Sequence, residues 1–532
     1  MTTESHSIQA ETGVRSTSRD RVPRENLLAS GPAIVAYIAS FEFLLHLPNI
    51  GGYGFFIDEL YFMACGQHLS WGYVDMPPLT ALQAWAARAL FGDSLMAIRL
   101  FPTFAAAGLV ILTGAIVREF GGGRFAQALA ALAVLLAPFY LSFGSYLSMN
   151  SIEPLLWMGC TLVLIRMIRT GNVRLWLWLG VLAGIGLENK HTMLVFGFAL
   201  MVGLLMTAQR VLMATRWFLI GGAAALLIFL PNLLWMVQHH FPHLQMLANI
   251  KRSHRNVALS PIGFIGWQIL GMQPLALPIW IAGLWVFLFR DWGRPYRALG
   301  YAYLVTLLTL LLADGRFYYL APAYPMLLAA GAVAIERWSE SSSRLWLRVA
   351  YPALLAVTGV MIALNTLPLL PPETYISYTH LIGISQPKFE NRQASELPQL
   401  LADRFGWPEM AAAVAQVYDG LPADVRARTA IFGSNYGEAG AIDFYGPKLG
   451  LPHAISGHDN YWYWGPRGYT GESVIVLGAT REQLQRHFAR VEAKGSVGNR
   501  YAMATEHFTI YLCSEPKDGT LELIWPRLKN WD

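Results

Sequence analysis

The chain has 532 residues, of which 55% are hydrophobic and only 14% charged, with a mean hydropathy of +0.39. This composition excludes a soluble or disordered chain and indicates an integral membrane protein. The formal charge of +5 needs no nucleic acid to explain it, because the arginines fall where cytoplasmic loops are expected. Cys65, Cys160 and Cys513 lie far apart and suggest neither a disulfide framework nor a zinc site.

Residues 1–30 are polar, carry Arg15, Arg19, Arg21 and Arg24, and lack an apolar core followed by a cleavage site. They read as a disordered cytoplasmic tail. Apolar stretches near 31–48, 94–117, 125–141, 151–168, 175–187, 192–209, 217–237, 263–289, 298–313, 318–335 and 347–368 predict about eleven membrane spans. Every second connection carries the arginines: Arg118 and Arg124; Arg166, Arg169 and Arg174; Arg210 and Arg216; Arg290, Arg294 and Arg297; Arg337 and Arg344. By the positive-inside rule the connections at 49–93, 142–150, 188–191, 238–262 and 314–317, and everything after about residue 369, lie on the extracytoplasmic side of an inner or plasma membrane.

The first outer loop, 49–93, is long for a bundle connection and should hold structure of its own. In "DELYFMACGQHL", Leu60, Met63, Ala64 and Leu69 share one side at helical spacing, so the segment is predicted to lie flat at the interface, as is "PPLTALQAWAARALF". Asp58 and Glu59 would begin the first of these helices, where capping alone accounts for one carboxylate.

The other outer connections add polar groups that an apolar bundle avoids. "YLSMNSIEPLLW" places Asn150 and Glu153 about one turn apart, "GLENKHTMLVF" supplies Glu188, Lys190 and His191, and "LLADGRFYYLAPAYP" supplies Asp314, Arg316, Tyr318 and Tyr319. Cations can hold phosphate oxygens while a carboxylate activates a hydroxyl; snorkelling salt bridges are the structural alternative. In "MVQHHFPHLQMLANIKRSHRN", His239, His240 and His243 are followed by Lys251, Arg252 and Arg255, a pattern that fits a basic rim for lipid head groups better than zinc.

Residues 369–532 change character. "RTAIFGSNYGEAGAIDFYG" reads as strand, turn and helix, "SVIVLG" before "TREQLQRHFARV" repeats the pattern, and "FTIYLC" is a further strand, predicting a soluble α/β domain. The turn at Gly433 to Glu438 is a weak phosphate-loop candidate. Tyr461, Trp462, Tyr463 and Trp464, flanked by His458, Asp459 and Arg467, suit either stacking on sugars or packing onto the bundle.

"IDELYF", "GYVDMPPLT", "GLENKHTMLVFGFAL" and "DGRFYYLAPAYP" resemble, in order, motifs of the polyprenyl-phosphate-dependent glycosyltransferases of the protein O-mannosyltransferase and aminoarabinose transferase superfamily, family 39. The resemblance spans roughly residues 30–340. It implies a type C glycosyltransferase fold: a transmembrane catalytic domain over 31–368 with the extracytoplasmic domain appended. It also implies that Asp58 is the leading catalytic residue, with its neighbour Glu59 grouped with it as catalytic, and that Asp75 lies at the substrate pocket, where Met76 stands in place of the His or Lys common in relatives. By the same match Lys190 contacts the lipid phosphate, Arg316 and Tyr319 line that pocket, and Glu153 takes over the task of an aspartate that relatives carry at the position of Asn150. His191, beside Lys190, is grouped with the substrate-binding residues.

The implied activity is transfer of a hexosyl or pentosyl group from a polyprenyl-phosphate donor to a lipid, glycan or protein acceptor, with inversion. No nucleotide is expected, there being no GxxxxGK loop. A divalent cation at Asp58 or Glu153 is compatible with clustered carboxylates but not demanded by them. The alternative is a multi-span transporter of a lipid-linked or anionic substrate, which would call for an internal repeat that the sequence does not display.

Overall fold

The computed structural model describes residues 27–47, 51–383, 390–391 and 395–532; residues 1–26 of the expected tail lie outside them. Each apolar stretch expected to span is helical. The order is α1 (Gly31–His46), α2 (Ile57–Gln67) and α3 (Leu79–Phe91) in the first long loop, α4 (Leu95–Glu119), α5 (Arg124–Leu135), α6 (Pro138–Gly144), α7 (Met149–Thr170) and α8 (Trp176–Asn189). There follow α9 (Thr192–Leu205), α10 (Arg216–Gln238), α11 (Pro242–Ser253), α12 (Pro261–Gly271), α13 (Leu277–Phe289), α14 (Arg297–Leu312), α15 (Tyr324–Trp338), α16 (Leu347–Thr366) and α17 (Pro372–Ile382). Among the described residues, 6 helices are long and apolar enough to cross a membrane unaided, and two bent pairs raise the number to 8; α1 and α9 are shorter apolar helices.

The helices sort by what covers them. The span built on α15 is 78% buried, whereas that of α16 is 11% buried and exposes Val349, Val357 and Val360. A continuous apolar surface of that kind is stable against lipid and not against water. The stretch 263–289, expected as one span, breaks instead into α12 and α13 at 93°. Gln273 stands at the break with φ +67, and its side-chain amide donates to the Leu355 carbonyl (2.9 Å) and the Thr358 hydroxyl (3.0 Å) of α16. A helix can break at membrane depth where neighbouring helices satisfy the polar groups at the break. α5 and α6 bend by 65° ahead of Pro138, whose ring cannot continue the helix without a kink.

α2 corrects the expectation of a helix lying flat on the membrane. Leu60, Tyr61, Phe62, Met63, Ala64 and Cys65 are all buried, because the C-terminal domain covers the side turned from the bundle. A helix apolar on every side belongs inside protein. α3 does keep an open apolar row, Leu82, Trp85, Leu90 and Phe91, as an interfacial helix should.

The C-terminal domain carries one four-stranded sheet of β1 (Thr429–Phe432), β2 (Ser473–Val476), β3 (Phe488–Val497) and β4 (Phe508–Pro516), in the order β1-β2-β4-β3. β1 and β2 are parallel; β4 runs antiparallel to both β2 and β3. β1, β2 and β4 lie where strands were expected. β3 does not: "TREQLQRHFARV" reads as helix, yet the helix Arg481–His487 gives way to strand at Phe488, where pairing with β4 (Val491 opposite Cys513) overrides local propensity.

The domain sits on the loops at one end of the bundle. Its helix Tyr436–Tyr445 is capped by Asn435, whose side-chain oxygen accepts the Glu438 amide at 2.9 Å, and packs on α2. A Cβ on Gly440 would lie 3.0–3.1 Å from the Leu60 main chain, so glycine permits this close approach. Arg404 donates to the Ser145 hydroxyl (3.1 Å), Arg255 pairs with Glu390 (2.8 Å), and Asn249 donates to the Trp531 carbonyl (2.7 Å). The arginine-bearing connections gather elsewhere: Arg166 and Arg169 share Glu119 (2.7 and 3.0 Å), and Glu336 accepts the Gly123 and Ala126 amides.

Candidate active site

Asp58 stands in the first turn of α2, where the helix dipole favours a negative charge. The hydroxyl of Tyr436, from the C-terminal domain, donates to its Oδ1 at 2.8 Å. The Tyr436 ring lies 4.9 Å from that of Tyr61 and 4.8 Å from that of His458, and Tyr61 in turn donates its hydroxyl to Asp75 Oδ1 at 2.9 Å. Two carboxylates are thus each held by a tyrosine, and the two tyrosines pack together. Crowding at the junction pushes the Asp58 carboxyl above its ordinary value, although part of its surface remains open; the Tyr436 hydrogen bond pulls it back, Glu390 adds to the rise, and Arg255 and Arg316 oppose it. Burial raises Asp75 to about 7, with the Asp58 charge adding to the rise.

Glu59, the next residue, faces away. It is fully buried and makes a two-pronged pair with Arg99 (3.0 and 2.8 Å), while accepting the amides of Phe56 (2.8 Å) and Leu147 (3.0 Å). Burial alone would raise its carboxyl, but Arg99 holds it below the usual range. Both oxygens are committed to fastening α2 to α4 and to the chain entering α7.

A second cluster forms the cationic side. Lys190 is buried and donates to Asn150 Oδ1 (2.7 Å) and Glu153 Oε2 (2.9 Å), while Thr192 hydrogen-bonds the other Glu153 oxygen. Its Nζ lies 4.0 Å from the centre of the Tyr319 ring and 5.9 Å from that of Tyr318, a cation–π arrangement. Arg316 donates to the Tyr318 hydroxyl (3.1 Å) and to Asn256 Oδ1 (2.7 Å), and lies 3.6 Å from Glu390. The Tyr318–Tyr319 pair therefore joins Lys190 to Arg316, and Arg316 and Arg255 act electrostatically on Asp58.

Of the residues picked from sequence, Asp58 and Asp75 share the tyrosine-held pair, and Glu153, Lys190, Arg316 and Tyr319 share the cationic side. His191 turns elsewhere: its ring pairs with Asn232 Oδ1 (3.1 Å) and lies 5.0 Å from His243. Met76 is buried in the apolar core under the C-terminal domain, a slot suited to an uncharged side chain. Sequence reasoning missed Tyr436, Arg99 and Glu390 and took Arg255 only as part of a basic rim. Arg99 had a signal, an arginine inside an apolar window; Glu390, in a polar stretch, had none. Among the described residues, no group of three or more His, Cys, Asp or Glu side chains is placed to hold a metal ion. Glu153, named with Asp58 for a cation, has its oxygens engaged by Lys190 and Thr192. His239 stacks on Trp235 at 4.1 Å, apart from the His191–His243 contact.

With this geometry in place, residues 75–235 match the dolichyl-phosphate-mannose-protein mannosyltransferase family. Among solved structures, ArnT from Cupriavidus metallidurans bound to undecaprenyl phosphate aligns with a TM-score of 0.58 and 14% identity, over 90% of this chain and 97% of that one. The apo state of that protein gives 0.58 and 15% over the same shares. This chain has the type C glycosyltransferase fold. The family matched over residues 75–235 falls in the superfamily that the four motifs resemble, and the fold is the one that resemblance implies. No curated protein sequence matches the chain significantly. The family match contains Asp75, Glu153, Lys190 and His191 but neither Asp58 nor Arg316.

Proposed function

We propose that the protein is a glycosyltransferase that moves a hexosyl or pentosyl group from a polyprenyl-phosphate donor to an acceptor hydroxyl on the extracytoplasmic face of a cell membrane, with inversion. The observation that carries this reading is Asp58: a carboxylate at a helix start, held by Tyr436, raised by its crowded site and acted on by Arg255 and Arg316. A raised carboxyl is better matched to taking a proton near neutral pH than an ordinary one.

In the proposed displacement the acceptor oxygen forms its bond to the anomeric carbon as the bond from that carbon to the phosphate oxygen breaks. The acceptor proton passes to Asp58, and the lipid phosphate leaves with the bonding pair. Arg316, with Arg255, offsets the growing phosphate charge. Lys190 uses two N–H groups on Asn150 and Glu153 and has a third for a phosphate oxygen. Tyr319 fixes the height of that ammonium, Asp75 walls the acceptor side, and Glu59 is a positioning residue acting through Arg99. The acceptor is a lipid, glycan or protein, and surrounding membrane lipids deliver the donor laterally.

The test is transfer of radiolabelled sugar from a polyprenyl phosphate by purified protein in nanodiscs. The wild type consumes the donor and Asp58→Asn does not; unchanged transfer by that variant would overturn the assignment. Solute movement in liposomes without donor consumption would establish the transporter alternative instead.

A further inference from the structure

The aromatic run Tyr461–Trp464 divides into halves with different surroundings. Tyr461 is fully buried and donates its hydroxyl to Asp443 Oδ2 (3.0 Å), while the Trp462 indole donates to the Trp525 carbonyl (3.1 Å). These two pack the domain. Tyr463 and Trp464 are only half-buried and line an open cavity of about 320 Å³ between the domain and the bundle, together with His68, Trp235, His239 and Asn460 among others.

The rings make two walls. On one side His68 lies 4.4 Å from Trp464; on the other Trp235 stacks on His239 at 4.1 Å and 18°, with Tyr463 edge-on to His239 at 5.1 Å. No Asp, Glu, Lys or Arg lines the cavity. The Asn460 side-chain oxygen accepts the Val74 amide at 2.8 Å, which fixes the group and leaves its NH2 as a donor. The cavity and the carboxylate lie at opposite ends of α2. His68 directly follows α2, whose first turn holds Asp58, so the separation along the helix is about 15 Å. Asn460 is two residues from His458, whose ring packs on Tyr436.

We propose that this cavity binds a neutral saccharide, and that it seats the acceptor chain of the transfer proposed above, on which that second statement rests. Flat aromatic faces cover the C–H faces of pyranose rings, and fixed amide and imidazole groups meet the hydroxyls. A lining without charge has nothing to pair with an anionic glycan and selects against one, since a desolvated unpaired charge is costly.

The test uses Asp58→Asn protein in nanodiscs, so that binding is read without turnover, with saturation-transfer NMR on maltotriose and mannotriose and with glucose 6-phosphate as the charged comparison. One or both trisaccharides are expected to bind, Trp464→Ala to weaken that binding at least tenfold, Trp464→Phe to restore most of it, and glucose 6-phosphate to give no signal. Absence of trisaccharide binding, equal binding by Trp464→Ala, or preference for the phosphorylated sugar would overturn the proposal. Trisaccharide binding lost in Trp464→Ala, by a protein whose wild type consumes no lipid donor, keeps the site and overturns the glycosyl transfer, so the two readings fail separately.

Discussion

The interior of the bundle and the junction above it treat polarity in opposite ways. Within the bundle, buried threonine hydroxyls turn back on their own helices: Thr103, Thr113, Thr161 and Thr306 each donate to the carbonyl four residues earlier, at 2.8–3.0 Å. At the junction, ionisable groups crowd together. Glu59, Arg99, Arg404 and Asp459 are buried there, beside Asp58 and Asp75. Burial, with Arg99 nearby, lowers Arg404 to about 9, and burial with neighbouring carboxylates pushes Asp459 well up. Burying so many charges costs stability unless each is paired, so a fold that needed only cohesion would have placed threonines here too. The contrast separates residues that hold the protein together from residues that hold charge in place for use.

The largest effect should come from the charge used in the chemistry. Asp58→Asn keeps the shape and removes the proposed proton acceptor, and sugar transfer from a lipid donor should fall about 10²–10⁴-fold with little change in thermal unfolding. Arg99→Ala should do the reverse in kind. It leaves Glu59 buried without its cation, and breaking such a pair costs about 3–5 kcal/mol, readable as a lowered unfolding midpoint in detergent. Because Glu59 is depressed in the folded state, its contribution is fully present above the ordinary value of 4.5 and is lost as pH falls through its lower folded value. The stability gap between wild type and Arg99→Ala should therefore narrow in acid.

How far the sequence made this legible follows the same division. The spans needed only length and apolarity, and their helices lie where the apolar stretches are. The motif residues Asp58, Lys190 and Arg316 were visible as charges unusual in an apolar chain. The cover over α2 was not visible, because the Tyr436–Asp58 contact joins residues 378 apart, a separation that no local pattern reports. For the same reason the engagement of Glu59 by Arg99, 40 residues away, has no local signal. β3 was misread because its strand pairing is tertiary, and the 263–289 bend because its support comes from α16.

Tyr436→Phe tests whether the junction tunes the carboxylate from the C-terminal side. The ring is retained, so contacts with Tyr61 and His458 should survive, and only the hydrogen bond is lost. That bond lowers the Asp58 carboxyl, so its removal raises it further. In the proposed mechanism the ionised carboxylate is the active form, and activity climbs as pH rises through the folded value. The acidic limb of the pH–rate profile should therefore move to higher pH. A uniform loss of rate at all pH values, with the limb unmoved, would mean that Tyr436 only braces the domain.

The smallest effect should come from charges that resemble the junction's in number but lie in water. Arg500 reaches Glu396 at 2.9 Å and Glu373 at 3.3 Å, all three being exposed. Solvent and salt screen such pairs, and ordering the long side chains offsets most of what the attraction contributes. Arg500→Gln should leave the unfolding midpoint and sugar transfer unchanged within error, at low and at physiological salt. An effect approaching that of Arg99→Ala would mean that burial is not what distinguishes the junction, and the contrast between its ion pairs and those of the open surface would fail.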